Sequence, residues 1–147
     1  MAGPKVSSRV IVADTNVLSE PMRASPDPAV LRWLARHKNE LALTTITIGE
    51  LRYGARRLAV GRRRTELMAA IDGLVSEAGE RILAFDLDAA EHYAVIRSDR
   101  EAGGLSVGVE DTMIAAICRT VGASVATRNV ADFAGAGIDV INPWTDE

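Results

Sequence analysis

Asp14 closes the run Arg9-Val10-Ile11-Val12-Ala13-Asp14, in which four apolar residues, three of them β-branched, read as a short strand buried on both faces. A carboxylate at the end of such a strand stands where open α/β sheets bind their ligands. Other polar groups share that setting. Glu50 stands at the start of a helix that follows a second strand, Asp111 lies in the first turn of a helix after Gly108, and Asn129 and Asp132 follow a further strand. Each has a plainer use: Asp14 or Thr15 as a helix N-cap, Glu50 as the partner of Thr47 in a capping box, Asp111 as a favourable charge against a helix dipole. Caps do not require a common edge, however. Asp14, Glu50 and Asp111 come from three separate strand–helix junctions and Asn129 with Asp132 from a fourth, so a single sheet edge can gather them. Carboxylates crowded together repel unless a cation neutralises them. An all-oxygen set without His or Cys suits Mg²⁺ or Mn²⁺. The corresponding chemistry is metal-assisted hydrolysis of a phosphodiester, with water as the nucleophile.

The elements that must position these residues follow from periodicity and turn chemistry. After the first strand, Asn16 to Met22 predicts a short helix ended near Pro21. Asp27-Pro28 then starts a helix running to about Lys38, with Val30, Leu31 and Leu34 inward. Leu41 to Thr45 predicts the second strand, followed by a helix packing through Leu51, Ala55 and Leu58. Arg52, Arg56, Arg57, Arg62, Arg63 and Arg64 decorate the rest of that stretch, as a solvated face or a phosphate contact. Thr65 to about Glu77 is amphipathic, Arg81 to Phe85 reads as a strand, and Asp86-Leu87-Asp88 starts another helix carrying Ala94, Val95 and Ile96. Gly103 to Gly108 breaks the pattern before a helix with Val109, Met113, Ile114, Ile117 and Val121 on one face. Strands at Ser124–Thr127 and Ile138–Ile141 flank a single helical turn at Val130–Phe133. Strands alternating with helices predict an α/β fold with a mainly parallel sheet and helices on both faces.

Length and composition narrow the function classes. A chain of 147 residues, 48% apolar and 25% charged, is expected to form one soluble domain, residues 9–147, behind a flexible tail at 1–8. A net charge of −3 argues against a protein that coats nucleic acid indiscriminately. One cysteine, Cys118, sits in an apolar helical pattern and reads as a core residue. With only His37 and His92 beside it, neither a zinc site nor a Cys-His nucleophile pair is supported. No signal peptide or spanning apolar run is seen, so a cytoplasmic location without a membrane is the expectation.

The segments Asp14-Thr15-Asn16-Val17-Leu18-Ser19-Glu20, Ile46-Thr47-Ile48-Gly49-Glu50-Leu51-Arg52-Tyr53-Gly54, Val109-Glu110-Asp111-Thr112-Met113-Ile114-Ala115-Ala116, Ala126-Thr127-Arg128-Asn129 and Asn142-Pro143-Trp144, in that order, resemble the PIN-domain ribonucleases. More narrowly, they resemble the VapC toxins of type II toxin–antitoxin systems, over almost the whole chain. The resemblance implies an α/β/α sandwich around a mainly parallel sheet and a homodimer. It also implies a Mg²⁺- or Mn²⁺-dependent endoribonuclease acting on structured RNA and held inactive by a VapB-type antitoxin, which alone would bring it to operator DNA. By motif, Asp14, Glu50 and Asp111 fall on the family's acids. Asn129 stands where many relatives carry Asp, which leaves Asn129 or the accessory Asp132 to complete the site. Gly108 also departs from the Ser-Val-Glu-Asp form of the subgroup.

Rival readings differ in what they need. A covalent phosphoenzyme of haloacid-dehalogenase or receiver type wants a suitably placed Lys, and the only lysines are Lys5 and Lys38; the former type also wants a second Asp where Asn16 stands. A PIN nuclease of RNA processing or decay would work without an antitoxin. A degenerate PIN module would bind RNA or protein without cutting, with Asn129 as its support.

Overall fold

A computed structural model describes residues 9–146; the tail expected at 1–8 lies outside the described residues. The chain runs β1 (Ile11–Ala13), α1 (Thr15–Ser19), a 3-10 turn at Glu20–Met22, α2 (Pro28–His37), β2 (Leu41–Thr44), α3 (Thr45–Arg56), α4 (Arg62–Ala78), β3 (Ile82–Leu83), α5 (Leu87–Ala102), α6 (Val109–Val121), β4 (Ser124–Ala126), a 3-10 turn at Val130–Phe133 and β5 (Val140–Ile141).

The strands form one sheet in the order β3-β2-β1-β4-β5, and every pair is parallel. β1 is central, with Ile11 opposite Leu41 on one side and Ser124 on the other. The chain winds outward from β1 through β2 to β3, then returns past β1 to build β4 and β5. The order therefore reverses between β1 and β4, and in doubly wound sheets ligands settle outside the carboxyl ends at such a point. Asp14 and Thr127 directly follow those two strands.

Alternate residues of β1 serve opposite layers, as the twofold repeat of a strand requires. Val12 packs with Ile96, Ile114, Ile117 and Phe133 under α5 and α6. Ile11 and Ala13 pack with Trp33, Leu51 and Ile71 under α1 to α4. Two buried layers around a parallel sheet make the expected α/β/α sandwich.

Local chemistry sets most boundaries. Asp27 caps α2, its Oδ1 accepting from Ala29 N at 2.9 Å, and Pro28 opens the helix. Asp86 caps α5 in the same way through Ala89 N at 2.9 Å. Gly122 ends α6 with φ +71, left-handed backbone that favours glycine, while Ala123 N reaches back to Cys118 O.

Four details differ from expectation. In α2 the buried pair is Val30 and Trp33, while Leu31 is 39% exposed because one helical step from Val30 turns it off the inner stripe. Val109 and Val121 are likewise exposed at the two ends of α6, and Val95 on α5. The arginine-rich stretch is not one helix, since the chain turns between Arg56 and Arg62, leaving Arg52 and Arg56 on α3, Arg57 just past its end and Arg62, Arg63 and Arg64 on α4. Finally, α3 is capped by the buried Thr44, whose Oγ1 accepts from Thr47 N at 3.0 Å, so Thr47 is not its cap and Glu50 is free of any capping box.

Candidate active site

Asp14 is 4% exposed, yet both of its carboxylate oxygens are engaged. Oδ1 accepts from Thr15 N at 2.8 Å, which caps α1. Oδ2 accepts from Thr127 Oγ1 at 2.8 Å and from Asn16 Nδ2 at 3.1 Å. The capping use of Asp14 is therefore real, but it occupies only one oxygen. The other is held by a hydroxyl from the end of the adjacent strand. Thr15 ties a second acid to the first: its Oγ1 donates to Glu50 Oε1 at 2.9 Å, across 35 positions of sequence.

Glu50 lies in the second turn of α3 and has its pKa raised, chiefly by burial; the Thr15 hydroxyl opposes the shift and the charges of Asp14 and Glu110 add to it. Asp111, in the first turn of α6, is pushed up to about 6 by burial and then by the charges of Asp14, Asp132, Glu50 and Glu110. The parallel sheet brings these groups together physically. α6 runs back against the strands, so its first turn meets the edge where β1 and β2 end. Gly108 precedes that turn, and a Cβ there would come within 3.1 Å of Asp111 Oδ2, so glycine leaves the carboxylate room to fold back over the helix start.

Asn129 and Asp132 stand on the 3-10 turn after β4. The Asn129 backbone N donates to Thr127 Oγ1 at 3.0 Å, and its carbonyl accepts from Asp132 N at 3.1 Å; both side chains are exposed. Of the two, only Asp132 carries a charge, and that charge acts on Asp111.

Sequence reasoning passed over several supporting residues. Thr127 and Asn16 hold Asp14, and Glu110 acts on both Glu50 and Asp111. Arg100, buried in α5, donates to the carbonyls of Ala134 and Ser106 and so ties the segment leading into α6 to the one following the Asp132 turn. A hydroxyl or amide directly after a central strand was the available signal for Thr127 and Asn16. Nothing in the sequence pattern pointed to Arg100.

The donor set tests whether a cation belongs here. Every candidate ligand is an oxygen, and the groups acting on Asp111 and Glu50 include acids and no cation. Such uncompensated charge fits a hard divalent ion. Among the described residues no three His, Cys, Asp or Glu side chains are drawn in closely enough to cage an ion as they stand.

A PIN-domain family model matches residues 11–136 of this sequence. The chain belongs to the PIN-domain family. It is 43% identical over 137 residues to VapC ribonuclease Y4jK of Sinorhizobium fredii, covering 92% of this chain and 98% of that protein. Toxin FitB of Neisseria gonorrhoeae is 36% identical over 139 residues, 93% of this chain and 100% of FitB. The crystal structure of FitAcB from the same organism aligns with a TM-score of 0.89 at 35% identity, covering 93% of this chain and 100% of that one. VapBC-5 of Mycobacterium tuberculosis, a member of the VapBC family of toxin–antitoxin systems, aligns at 0.68 with 25% identity, over 90% and 98% of the two chains. The expected PIN resemblance and sandwich fold are borne out. A toxin ribonuclease is the function that this fold and these relatives support.

Proposed function

We propose that this PIN-domain toxin is an endoribonuclease that depends on Mg²⁺ or Mn²⁺, held by Asp14, Glu50 and Asp111 with Asn129 or Asp132 completing the set. The observation that carries this reading is the position of Asp111, whose carboxyl is raised to about 6 by burial and by four neighbouring acids. Bound there, a divalent ion would neutralise phosphoryl oxygens and lower the pKa of an attacking water. The chain's own residues supply the positioning. Thr127 and Asn16 fix one oxygen of Asp14, and Thr15 couples its other oxygen to Glu50. The backbone link from Asn129 to the same Thr127 hydroxyl keeps the fourth position in register with Asp14. An RNA substrate implies action in the cytoplasm, and no described helix is long and apolar enough to cross a membrane.

The fourth position can be tested by metal titration. An amide offers a dipole where a carboxylate offers a full charge, so Asn129→Asp is expected to lower the metal concentration for half-maximal cleavage by about three- to tenfold. Asp132→Ala should raise it by no more than about twofold. An unchanged curve for Asn129→Asp beside a strongly shifted one for Asp132→Ala would assign the position to Asp132.

A VapB-type antitoxin is part of the same proposal, and a groove supports it. Three adjoining hollows of about 280, 390 and 300 Å³ run between α4 and the α1–α2 segment. Met22, Arg63 and Leu67 are shared by the first two, and Leu18, Pro21 and Leu74 by the last two. Thr15 and Glu50 line one end. An antitoxin segment lying along this apolar floor would bring its tail over the acids, and operator DNA would be reached through the antitoxin. Ala70, exposed on the lip, offers a clean test: Ala70→Glu should abolish co-purification with the antitoxin while RNA cleavage stays within about twofold. Retained co-purification would move the antitoxin elsewhere. A homodimer would cover Leu87 and Val109, which are 76% and 47% exposed, and light scattering reads it directly.

A further inference from the structure

The acids that make the crevice also repel the substrate, since RNA presents a phosphate at every residue. A cation beside the crevice is needed to hold the backbone there. The arginines of α3 and α4 are the obvious source, but several are already engaged: Arg52 pairs with Asp72 at 2.8 Å, Arg62 with Glu66 at 2.8 Å, and Arg63 donates to Met22 O at 2.8 Å. Arg57 stands over the Tyr53 ring at 5.6 Å, but past the carboxyl end of α3, at the opposite end of that helix from the turn that follows β2.

Arg128 is placed differently. Its backbone N donates to Asn16 Oδ1 at 3.1 Å, and the amide of the same Asn16 donates to Asp14 Oδ2 at 3.1 Å. One side chain thus connects Arg128 to Asp14. The Arg128 guanidinium lies 5.1 Å from the centroid of the Trp144 ring, and among the described residues it forms no ion pair and donates no hydrogen bond. Glu20 is held below the usual carboxylate range first by the bond from Asp27 N at 2.7 Å, then by the Arg23 Nη1 contact at 3.0 Å, and the Arg128 charge also helps but comes last among the causes. The indole restricts the guanidinium without using up its donors. Ordering a long side chain in advance removes part of the entropy cost of binding. A planar fork with unoccupied donors matches two phosphate oxygens.

We propose that Arg128, laid against Trp144 at the carboxyl end of β4, contacts an RNA phosphate flanking the scissile bond and so sets the substrate backbone against the carboxylates. The inference rests on the ribonuclease reading, and its test separates the two. Binding of a short labelled single-stranded RNA to the Asp14→Asn protein is measured over a range of KCl concentrations, with and without Arg128→Ala; cleavage kinetics are measured for Arg128→Ala and Trp144→Leu with Asp14 intact. Arg128→Ala is expected to weaken RNA binding by about tenfold and to flatten the plot of log affinity against log salt by roughly 0.7, the loss of one phosphate contact. KM should rise by a similar factor with kcat within about threefold. Arg128→Lys keeps the salt slope and recovers part of the affinity. Trp144→Leu should raise KM severalfold with the slope kept, since the charge remains while its orientation is lost.

Unchanged affinity and slope for Arg128→Ala would overturn the assignment, as would a fall in melting temperature with KM unaltered. Loss of antitoxin binding with RNA binding intact would overturn it in favour of a protein contact. If the parent protein neither binds nor cuts RNA, the ribonuclease reading itself fails, a different result from any of these.

Discussion

Asp14→Asn is expected to reduce metal-supported RNA cleavage by at least about a thousandfold while leaving the fold intact. Asparagine is as good an N-cap as aspartate, so the bond from Thr15 N that starts α1 survives. The Thr127 hydroxyl can turn from donor to acceptor when it faces an amide, so the junction of β1 and β4 keeps that hydrogen bond, while the bond from Asn16 Nδ2 to the same position is lost. What disappears is one full negative charge at the most buried position of the acidic set, where Asp14 is 4% exposed. A divalent ion contributes several kcal/mol of charge stabilisation to phosphoryl chemistry, and about 4 kcal/mol corresponds to the thousandfold. Cleavage of labelled RNA over a Mg²⁺ or Mn²⁺ titration, with circular dichroism as the control for folding, measures it. Cleavage within tenfold of the parent at every metal concentration would remove Asp14 from the site and leave it as a helix cap alone.

The second large effect has two opposite signs. Asp111→Asn should eliminate cleavage and at the same time stabilise the metal-free protein at neutral and alkaline pH. The Asp111 carboxyl titrates near 6 in the folded chain against its usual 3.8, because burial and the charges of Asp14, Asp132, Glu50 and Glu110 oppose its ionisation. Below about pH 3.8 both folded and unfolded chains hold the proton, and the group is neutral in its effect. Between that value and about 6 the unfolded chain ionises first, so folding stability falls as the pH rises, and above about 6 the penalty is complete. Asparagine never incurs it. After allowance for solvent screening of a partly exposed carboxylate, the gain is on the order of 1 kcal/mol, or about 2–4 °C in Tm for a domain of this size. The difference between variant and parent should vanish near about pH 4. Added Mg²⁺ should raise the Tm of the parent and leave the variant unmoved, since an ion bound only by the folded state stabilises by mass action. A parent protein as stable as the variant at about pH 8 in chelator would show that the Asp111 charge is already compensated.

The sequence by itself determined the alternation of strands and helices, and with it the α/β/α class. The pattern is local: a run such as Ile11-Val12-Ala13 has no amphipathic repeat and must be buried on both faces, and Asp27-Pro28 or Asp86 announces a helix start through the chemistry of its own neighbours. It also marked the acids, because Asp14 after a buried strand and Glu50 and Asp111 near helix starts could share one sheet edge, which separate caps do not require. What only the tertiary structure decided is how those acids are held and how they act on one another. Thr127 reaches Asp14 across 113 positions and Thr15 reaches Glu50 across 35, and pairings of that separation leave no periodic trace. Thr44 in place of Thr47 as the cap of α3 depended on where β2 stops, which pairing with β1 and β3 sets. The order β3-β2-β1-β4-β5 put the reversal of the sheet between β1 and β4. Asp111 is pushed up first by burial and then because α6 delivers its first turn, Glu110 included, to the edge where Asp14, Glu50 and Asp132 stand. Charge repulsion depends on distance in space, and a linear chain carries no record of it.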